Sequence, residues 1–266
     1  MTYDYGGYNS REFVAEYYDP AYQSLRTKDI NFFVDYSKAS SGSTLELGCG
    51  TGRILIPTAV AGCQITGLDL SPHMLKECRN NLAEQPLGVR ERVIIVQGNM
   101  TSFDTGETYS LVTVPFRAFQ LVIDTEEHKS CLGCAGKHLA PGGKLIVDLY
   151  HPYPERLSYS EKYSAEREDL PETELPDGRK LRRTNRTVAF HRERQYNDIE
   201  MLYYVTHPDG RKERLVHSFK MRYFFRYEME HLLELCGFSV VDLFGDFDRS
   251  EFSSDSPEMI FIAEKK

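Results

Sequence analysis

A glycine-rich turn is the clearest candidate for ligand chemistry in this sequence. Glu46-Leu-Gly48-Cys-Gly50-Thr-Gly52 follows a short apolar run and precedes a helix-like segment. Glycines let the backbone turn tightly and approach a ligand, and the first amides of a helix have no partner within it. The dinucleotide fingerprint needs glycine where Arg53 stands, and the Gly-Lys-Ser/Thr of a Walker loop is absent. The turn therefore predicts a nucleotide-like cofactor of another kind.

Three positions downstream have the residue types of a nucleoside site. Asp69 ends the next strand-like run, where a carboxylate could accept hydrogen bonds from both ribose hydroxyls. An acidic residue at this point also occurs in NAD sites. Asn99 and Met100 follow the third run, and an amide beside an apolar side chain suits an adenine ring.

The elements that must position these residues alternate between strand-like and helix-like segments. Strands are predicted over 43–48, 64–69, 92–97, 109–114 and 144–149, with helices over 53–61, 73–84 and 126–138. Ser71 and Pro72 suit the cap and first position of the second of these helices. Such alternation predicts βαβ units and a parallel sheet.

The pattern changes after Tyr150. Three strand-like runs separated by turn residues predict an antiparallel insert at about 181–194, 198–206 and 212–225. A helix at 227–236 and strands at 238–244 and 259–263 return to the α/β pattern. Basic residues at 179–194 could dock nucleic acid, but the acidic run at 155–176 favours mutual neutralisation or solvation of exposed strand faces.

These motifs together resemble the class I S-adenosylmethionine-dependent methyltransferases. ELGCGTGR, GLDLS, GNM and LAPGGKLIVD occur in this order between Ser43 and Leu149. The resemblance implies an α/β Rossmann-like sheet of seven strands with the last strand antiparallel. It implies S-adenosyl-L-methionine as cofactor, S-adenosyl-L-homocysteine as product, and a cofactor site formed by Glu46, Gly48, Gly50, Asp69, Leu70, Asn99, Met100 and Val114. Many members have Asp where this chain has Asn99.

A closer similarity is to small-molecule N-methyltransferases of the aminosugar type and, more distantly, of the glycine type. It lies in FVAEYYDPAY and RTKD near the N-terminus, in the β insert, and in RYFFRYEMEHLLELCGF. In that group the N-terminal helix folds over the cofactor. The similarity implies Arg26 near the cofactor carboxylate and Tyr22 as a catalytic residue near the reacting methyl. Each could equally be an ordinary surface or packing residue.

Four segments follow from these patterns. We expect an N-terminal helical lid at 1–42, a cofactor-binding Rossmann-like core at 43–150, an antiparallel insert at 151–226 and the C-terminal part of the core at 227–266. The insert is expected to form a substrate cap or a dimer contact.

The acceptor side is predicted at two loops, because ligands of open α/β sheets bind beyond the carboxyl ends of the strands. Phe116 and Arg117 follow the fourth strand, and Tyr150 and His151 follow the fifth. Phe116 and Tyr150 would supply aromatic walls. Arg117 could bind a substrate carboxylate or phosphate, or hold the N-terminal region. His151 could be a general base or a packing residue.

Composition narrows the function classes. The 266 residues carry a formal net charge of −8, which disfavours nucleic acid as a partner. No segment reads as a signal peptide or membrane span, and the six cysteines lack a zinc-ligand pattern, so a cytoplasmic protein without a metal is expected. We predict methylation of a small-molecule amine, with a homodimer possible. Alternatives are O-methylation, methylation of RNA or protein, and cofactor binding without turnover.

Overall fold

Two β-sheets organise the part of the chain that the structure, a computed structural model, describes: residues 5–22, 27–152, 157 and 161–266. The helices are α1 Glu12–Glu16, α2 Tyr18–Tyr22, α3 Lys28–Ala39, α4 Leu55–Val60, α5 Pro72–Ala83, α6 Leu87–Arg90, α7 Thr125–His138, α8 Glu161–Ser164 and α9 Arg226–Leu235. The strands are β1 Thr44–Leu47, β2 Ile65–Asp69, β3 Val93–Gln97, β4 Tyr109–Val114, β5 Leu139–Tyr150, β6 Arg167–Glu174, β7 Lys180–His191, β8 Tyr196–Thr206, β9 Lys212–Arg222, β10 Phe238–Phe244 and β11 Glu258–Lys265.

The larger sheet has seven strands in the order β10-β11-β5-β4-β1-β2-β3. Strands β1 to β5 pair in parallel, whereas β11 is antiparallel to both β5 and β10. Apolar residues of β1, β4, β5 and β11 form the main core. The predicted α/β fold with an antiparallel last strand is confirmed.

The smaller sheet has four antiparallel strands in the order β6-β7-β8-β9. The predicted antiparallel insert is therefore present, but the prediction of three strands was wrong. Strand β6 lies in the acidic run, where closely spaced charged residues hide the alternation of apolar and polar residues that would predict a strand. Its acidic side chains pair with the basic ones of β7, as in Glu172–Lys180 and Asp169–Arg183, so the two runs neutralise each other as expected.

Local signals fix the helices beside the cofactor edge of the sheet. The Ser71 hydroxyl accepts a hydrogen bond from the backbone N–H of Met74 at 3.2 Å, and Pro72 occupies the first position of α5. Asp124 caps α7 in the same way. Both are side-chain oxygens that satisfy amides left free at a helix start. The predicted cap of α5 is confirmed.

The short helices α1 and α2 lie between the two sheets. Tyr17 and Ala21 pack against Leu181 and Tyr203 of the smaller sheet. Tyr18, on the other side, packs in a cluster with residues of α5 and of the loop after β4. The N-terminal segment is thus held against the carboxyl edge of the larger sheet.

No helix within the described ranges is long and apolar enough to cross a membrane.

Candidate active site

The glycine turn after β1 presents bare backbone to a cavity. Gly48, Gly50 and Gly52 have φ values of 78°, 55° and 88°, in the left-handed region that favours glycine. The Gly48 N–H donates to the carbonyl of Leu68 at 2.7 Å, which joins the turn to β2. A Cβ atom at Gly48 would lie 2.8 Å from the Cβ of Ala118. Any side chain there would therefore require the loop after β4 to move.

Asp69, at the carboxyl end of β2, shapes this turn as well as facing the cavity. Its Oδ2 accepts from the N–H of Gly50 and its Oδ1 from the N–H of Ser71, both at 2.8 Å. Burial raises the pKa of the Asp69 carboxyl, while hydrogen bonds from backbone amides oppose that shift. Carboxylate oxygens have further lone pairs, so hydrogen bonds from a ribose remain possible.

Most of the predicted cofactor residues surround one cavity. Its lining includes Gly48, Gly50, Asp69, Leu70, Asn99 and Met100. Glu46 and Val114 are buried in β1 and β4 and are not part of that lining. Burial raises the pKa of Glu46 well above its usual value. Arg26 lies outside the described residues, so its predicted role stays a prediction.

Asn99 has hydrogen-bond partners within its own loop. Its Oδ1 accepts hydrogen bonds from the N–H of Thr101 at 2.9 Å and from the Thr101 hydroxyl at 3.0 Å. Both lone pairs of that oxygen are therefore engaged. The part of the side chain left for adenine is the amide NH₂, which can donate to a ring nitrogen. The predicted contact of Asn99 with the adenine ring stays a prediction.

A second cavity, of about 340 Å³, adjoins the first. Tyr8, Phe116 and Leu121 line both cavities and so mark their junction. The other walls come from the carboxyl edge of the larger sheet, from α2, and from one face of the four-stranded sheet. The predicted acceptor residues Tyr22, Phe116, Arg117 and Tyr150 all line this second cavity.

The loop after β4 is held in a conformation that its residue types do not favour. Phe116 and Arg117 have φ values of 55° and 64°. The Phe116 N–H donates to Asp148 Oδ2 at 3.0 Å, and Gln120 accepts from the N–H of Tyr150 at 2.9 Å. Left-handed backbone at non-glycine residues costs about 1–3 kcal/mol and persists only where the surroundings fix it. These bonds fix the loop at the junction of the cavities.

Arg117 is engaged by a carboxylate of the larger sheet. Its Nη2 lies 2.7 Å from an oxygen of Glu258, at the start of β11. The alternative role of Arg117, holding the N-terminal region, is not tested by this contact and stays a prediction. Its place in the lining keeps a substrate-binding role as a prediction.

Tyr22 packs against two aromatic rings and a guanidinium group. Its ring lies 5.0 Å from that of Phe116 and 4.8 Å from that of Tyr18, and the guanidinium of Arg183 lies 4.4 Å from its centroid. Its hydroxyl donates to the sulfur of Met201 at 3.6 Å. The ring is thus a fixed wall between α2 and the four-stranded sheet.

His151 is not brought into either cavity. Its Nδ1 is 2.9 Å from the carbonyl oxygen of Ser256, and its ring packs edge-on against Phe252. The segment before β11 lies across this side of the loop and draws the ring towards itself. The general-base role assigned to His151 from the sequence is not supported by this position and stays a prediction.

We therefore expect His151→Gln to lower kcat by less than about threefold and to leave its pH dependence unchanged, because the ring serves packing. Steady-state kinetics between pH 5.5 and 8.5 would measure this. A loss of about 100-fold or more, the range of general acid–base catalysis, would restore the general-base hypothesis.

Tyr8 is a site residue that the sequence reasoning missed. Its carbonyl accepts from the Ser71 hydroxyl at 2.7 Å, and its ring packs against Tyr18 and His217. Burial raises the pKa of its hydroxyl well above the usual value. Several other tyrosines lie near it in the first 22 residues, so the sequence does not distinguish Tyr8 from them.

Two polar links tie the N-terminal helices to the glycine turn. The Thr51 hydroxyl donates to Asp19 of α2 at 2.6 Å. Arg53 pairs with both carboxylate oxygens of the buried Asp29 of α3 and stacks 4.7 Å from the Phe116 ring centroid. The residue that breaks the dinucleotide fingerprint is thus a structural cation behind the junction.

Comparison with known proteins agrees with this geometry. Residues 44–143 match the family model described as a methyltransferase domain. The whole structure is similar to the CcbJ methyltransferase from Streptomyces caelestis, with a TM-score of 0.76, 23% identity and 99% of both chains covered. The chain thus contains a methyltransferase domain, which the match places at residues 44–143.

The similarity to two other proteins covers most of this chain. A dTDP-3-amino-3,6-dideoxy-α-D-glucopyranose N,N-dimethyltransferase from Streptomyces fradiae is 25% identical over 233 residues, 85% of this chain and 84% of that one. CalS10, an amino pentose methyltransferase from Micromonospora echinaspora, has a TM-score of 0.71 and 23% identity, with 94% and 96% of the two chains covered.

The first cavity of the methyltransferase suits S-adenosylmethionine in its chemistry. The missing side chain at Gly48 lets Ala118 of the loop after β4 pack against the turn, and both residues line the cavity. Asp69 and Asn99 supply polar groups, and Met74 and Met100 add apolar side chains to the lining. A pocket with a few placed polar groups among apolar walls is typical of a nucleoside ligand.

Proposed function

We propose that the protein transfers a methyl group from S-adenosylmethionine to a nitrogen atom of a small-molecule amine. The single observation that carries this proposal is the junction of two cavities at Tyr8, Phe116 and Leu121. One cavity has the residues for the cofactor, and the other is a separate, largely aromatic and polar compartment. Their common wall is where donor and acceptor can meet.

The roles of the chain's residues follow from their positions. Asp69 and the glycine turn would hold the ribose and methionine parts of the cofactor. Asn99 and Met100 would contact its adenine ring. When bound, S-adenosylmethionine supplies an electrophilic methyl group on a positively charged sulfur. The protein's part is to align the acceptor atom and to exclude water. Such positioning can contribute up to about 7–11 kcal/mol in favourable model systems.

Aromatic rings at the junction suit a cationic centre. Tyr8, Tyr22 and Phe116 converge there, and aromatic faces attract cations more strongly when water is excluded. Methylation of an amine yields an ammonium product, so this wall is compatible with both reactant and product. We keep Tyr22 as the proposed catalytic contact and Phe116, Arg117 and Tyr150 as proposed acceptor contacts.

The insert is proposed to be a substrate cap, because the four-stranded sheet forms a wall of the acceptor cavity. Residues 1–42 are proposed as the lid and 43–150 with 227–266 as the core. This enclosure favours a small acceptor over a macromolecule. The basic run offers little free charge, since Arg179, Arg183 and Arg186 each have a carboxylate partner. A homodimer stays a prediction.

The relatives support the choice of nitrogen. The similar Streptomyces fradiae and Micromonospora proteins are named for aminosugar N,N-dimethylation and for methylation of an amino pentose. Identities at or below 25% leave the acceptor of this chain as a proposal.

The test is a panel of acceptors incubated with S-adenosylmethionine carrying a deuterated methyl group, read by mass spectrometry. The panel holds matched pairs of amine and alcohol on the same small-molecule scaffold, together with generic RNA. We expect transfer to amine members only. Transfer to the alcohols would show O-methylation, transfer to RNA that falls with salt would show a nucleic-acid substrate, and either would overturn the proposal.

A further inference from the structure

We propose that the acceptor carries an anionic group, a carboxylate or a phosphate, which Arg167 and Asn185 bind on the wall formed by β6 and β7. This inference rests on the proposed function, because it assigns part of the acceptor cavity. It adds a recognition subsite that neither the sequence motifs nor the comparisons assign.

The cavity has a surplus of guanidinium groups. Arg117, Arg167, Arg183 and Arg186 all contribute to its lining. Three of them are neutralised by carboxylates at short range: Arg117 by Glu258 at 2.7 Å, Arg183 by Asp169 at 3.0 Å and Arg186 by Glu200 at 2.7 Å. Those three charges are therefore already compensated within the protein.

Arg167 differs from the other three. Its Nη2 donates to the neutral amide oxygen of Asn185 at 3.1 Å. Its Nε is buried and has no hydrogen-bond partner among the residues that the structure describes. Within those same residues no carboxylate forms an ion pair with it. One positive charge of the cavity wall is thus left without an acidic partner.

The surroundings hold this guanidinium in place. The ring of Tyr163 lies 4.5 Å from its central carbon, and Asn185 fixes one end of the fork. Asn185 itself lines the cavity and has an amide NH₂ that can donate. A planar guanidinium with free N–H groups, beside an amide donor, is suited to bidentate binding of a carboxylate or phosphate.

An anion at this point would complete the charge balance that the three neighbouring pairs show. Arg167 is half-buried, and a charge-assisted hydrogen bond to its guanidinium is about twice as strong as a neutral hydrogen bond. An amine acceptor without an anionic group would leave Arg167 uncompensated. Specificity would then follow from the penalty as well as from the attraction.

The test uses the protein loaded with S-adenosylhomocysteine and two probes, inorganic pyrophosphate and succinate, titrated by calorimetry at low ionic strength. We expect one probe to bind with a single site. Preference for pyrophosphate would indicate a phosphate on the acceptor, and preference for succinate a carboxylate. Binding of neither probe would overturn the subsite.

Variants of Arg167 test whether this residue binds the anionic probe. Arg167→Gln should weaken the preferred probe by about tenfold or more, in line with a lost hydrogen bond between charged groups, and Arg167→Lys should retain part of the affinity. Arg214→Gln is the matched control, because Arg214 is half exposed on the same sheet and does not line the cavity. Equal affinities in Arg167→Gln and wild type would overturn the proposal.

The outcome is separable from that of the proposed function. Affinity for S-adenosylhomocysteine should be the same in wild type and Arg167→Gln, which also shows that the variant folds. If Arg167→Gln loses probe binding but the acceptor panel yields no methylated amine, the anion subsite is supported and the proposal of an amine acceptor is overturned. If the panel yields methylated amines but the wild type binds neither probe, the amine acceptor is supported and the anion subsite is overturned.

Discussion

Replacement of Asp69 by alanine should weaken S-adenosylhomocysteine binding by about 100-fold or more. The carboxylate is expected to accept from the ribose, and hydrogen bonds to a charged group contribute about 1.5–3 kcal/mol each. It also accepts from Gly50 and Ser71, which shape the turn on either side. The substitution therefore removes a ligand contact and loosens the backbone that presents the site. Titration calorimetry measures the effect directly.

Two further variants separate charge from position. Asp69→Asn should also bind poorly, because its NH₂ group would face a backbone N–H that needs an acceptor. Asp104→Asn is the control, since that carboxylate is exposed and accepts from the N–H of Gly106 in a turn outside the cavity lining. Affinity of Asp69→Ala within threefold of wild type would contradict the assigned ribose contact.

Arg53→Met should lower the free energy of unfolding by about 3–5 kcal/mol. Asp29 is 1% exposed and Arg53 11%, so the variant leaves a buried carboxylate without its partner. Breaking a buried ion pair from one side costs about that much, whereas replacing both partners costs far less. Urea unfolding followed by circular dichroism measures the difference.

The double variant Arg53→Met/Asp29→Asn is the control for this buried pair. It should recover a large part of the lost stability, because no uncompensated charge remains. Since Arg53 also stacks on Phe116, both variants should loosen the junction of the cavities and weaken binding of the acceptor. A single variant within about 1 kcal/mol of wild type would show that water or another cation already compensates Asp29.

The larger sheet was predictable because each strand carries its own signal. Strands 109–114 and 238–244 were predicted at the bounds they have in the structure, since each is a short run rich in apolar residues that ends at a turn residue, Pro115 or Gly245. Strand β6 gave no such signal. Its acidic residues form an edge strand stabilised by ion pairs with β7, and these partners are close only after the hairpin has formed.

The candidate site was predictable where local motifs determine it. The glycine turn, Asp69 and the Asn99–Met100 pair lie together because parallel strands end at one edge. The acceptor side depends on tertiary packing. Tyr8 reaches the junction through its bond with Ser71, and His151 turns towards Ser256. Both contacts join distant parts of the chain, and no sequence pattern within either segment predicts them.

Hydrogen–deuterium exchange with and without S-adenosylhomocysteine tests the cofactor site most directly. We expect protection in peptides covering 48–52, 69–74 and 98–101, because their amides surround the first cavity, and in 5–9 at the junction. Strand β10, at the opposite edge of the larger sheet and outside the lining of both cavities, should change little. Protection confined to the four-stranded sheet, or none at saturating ligand, would contradict the assignment of the glycine-turn cavity as the methyl-donor site.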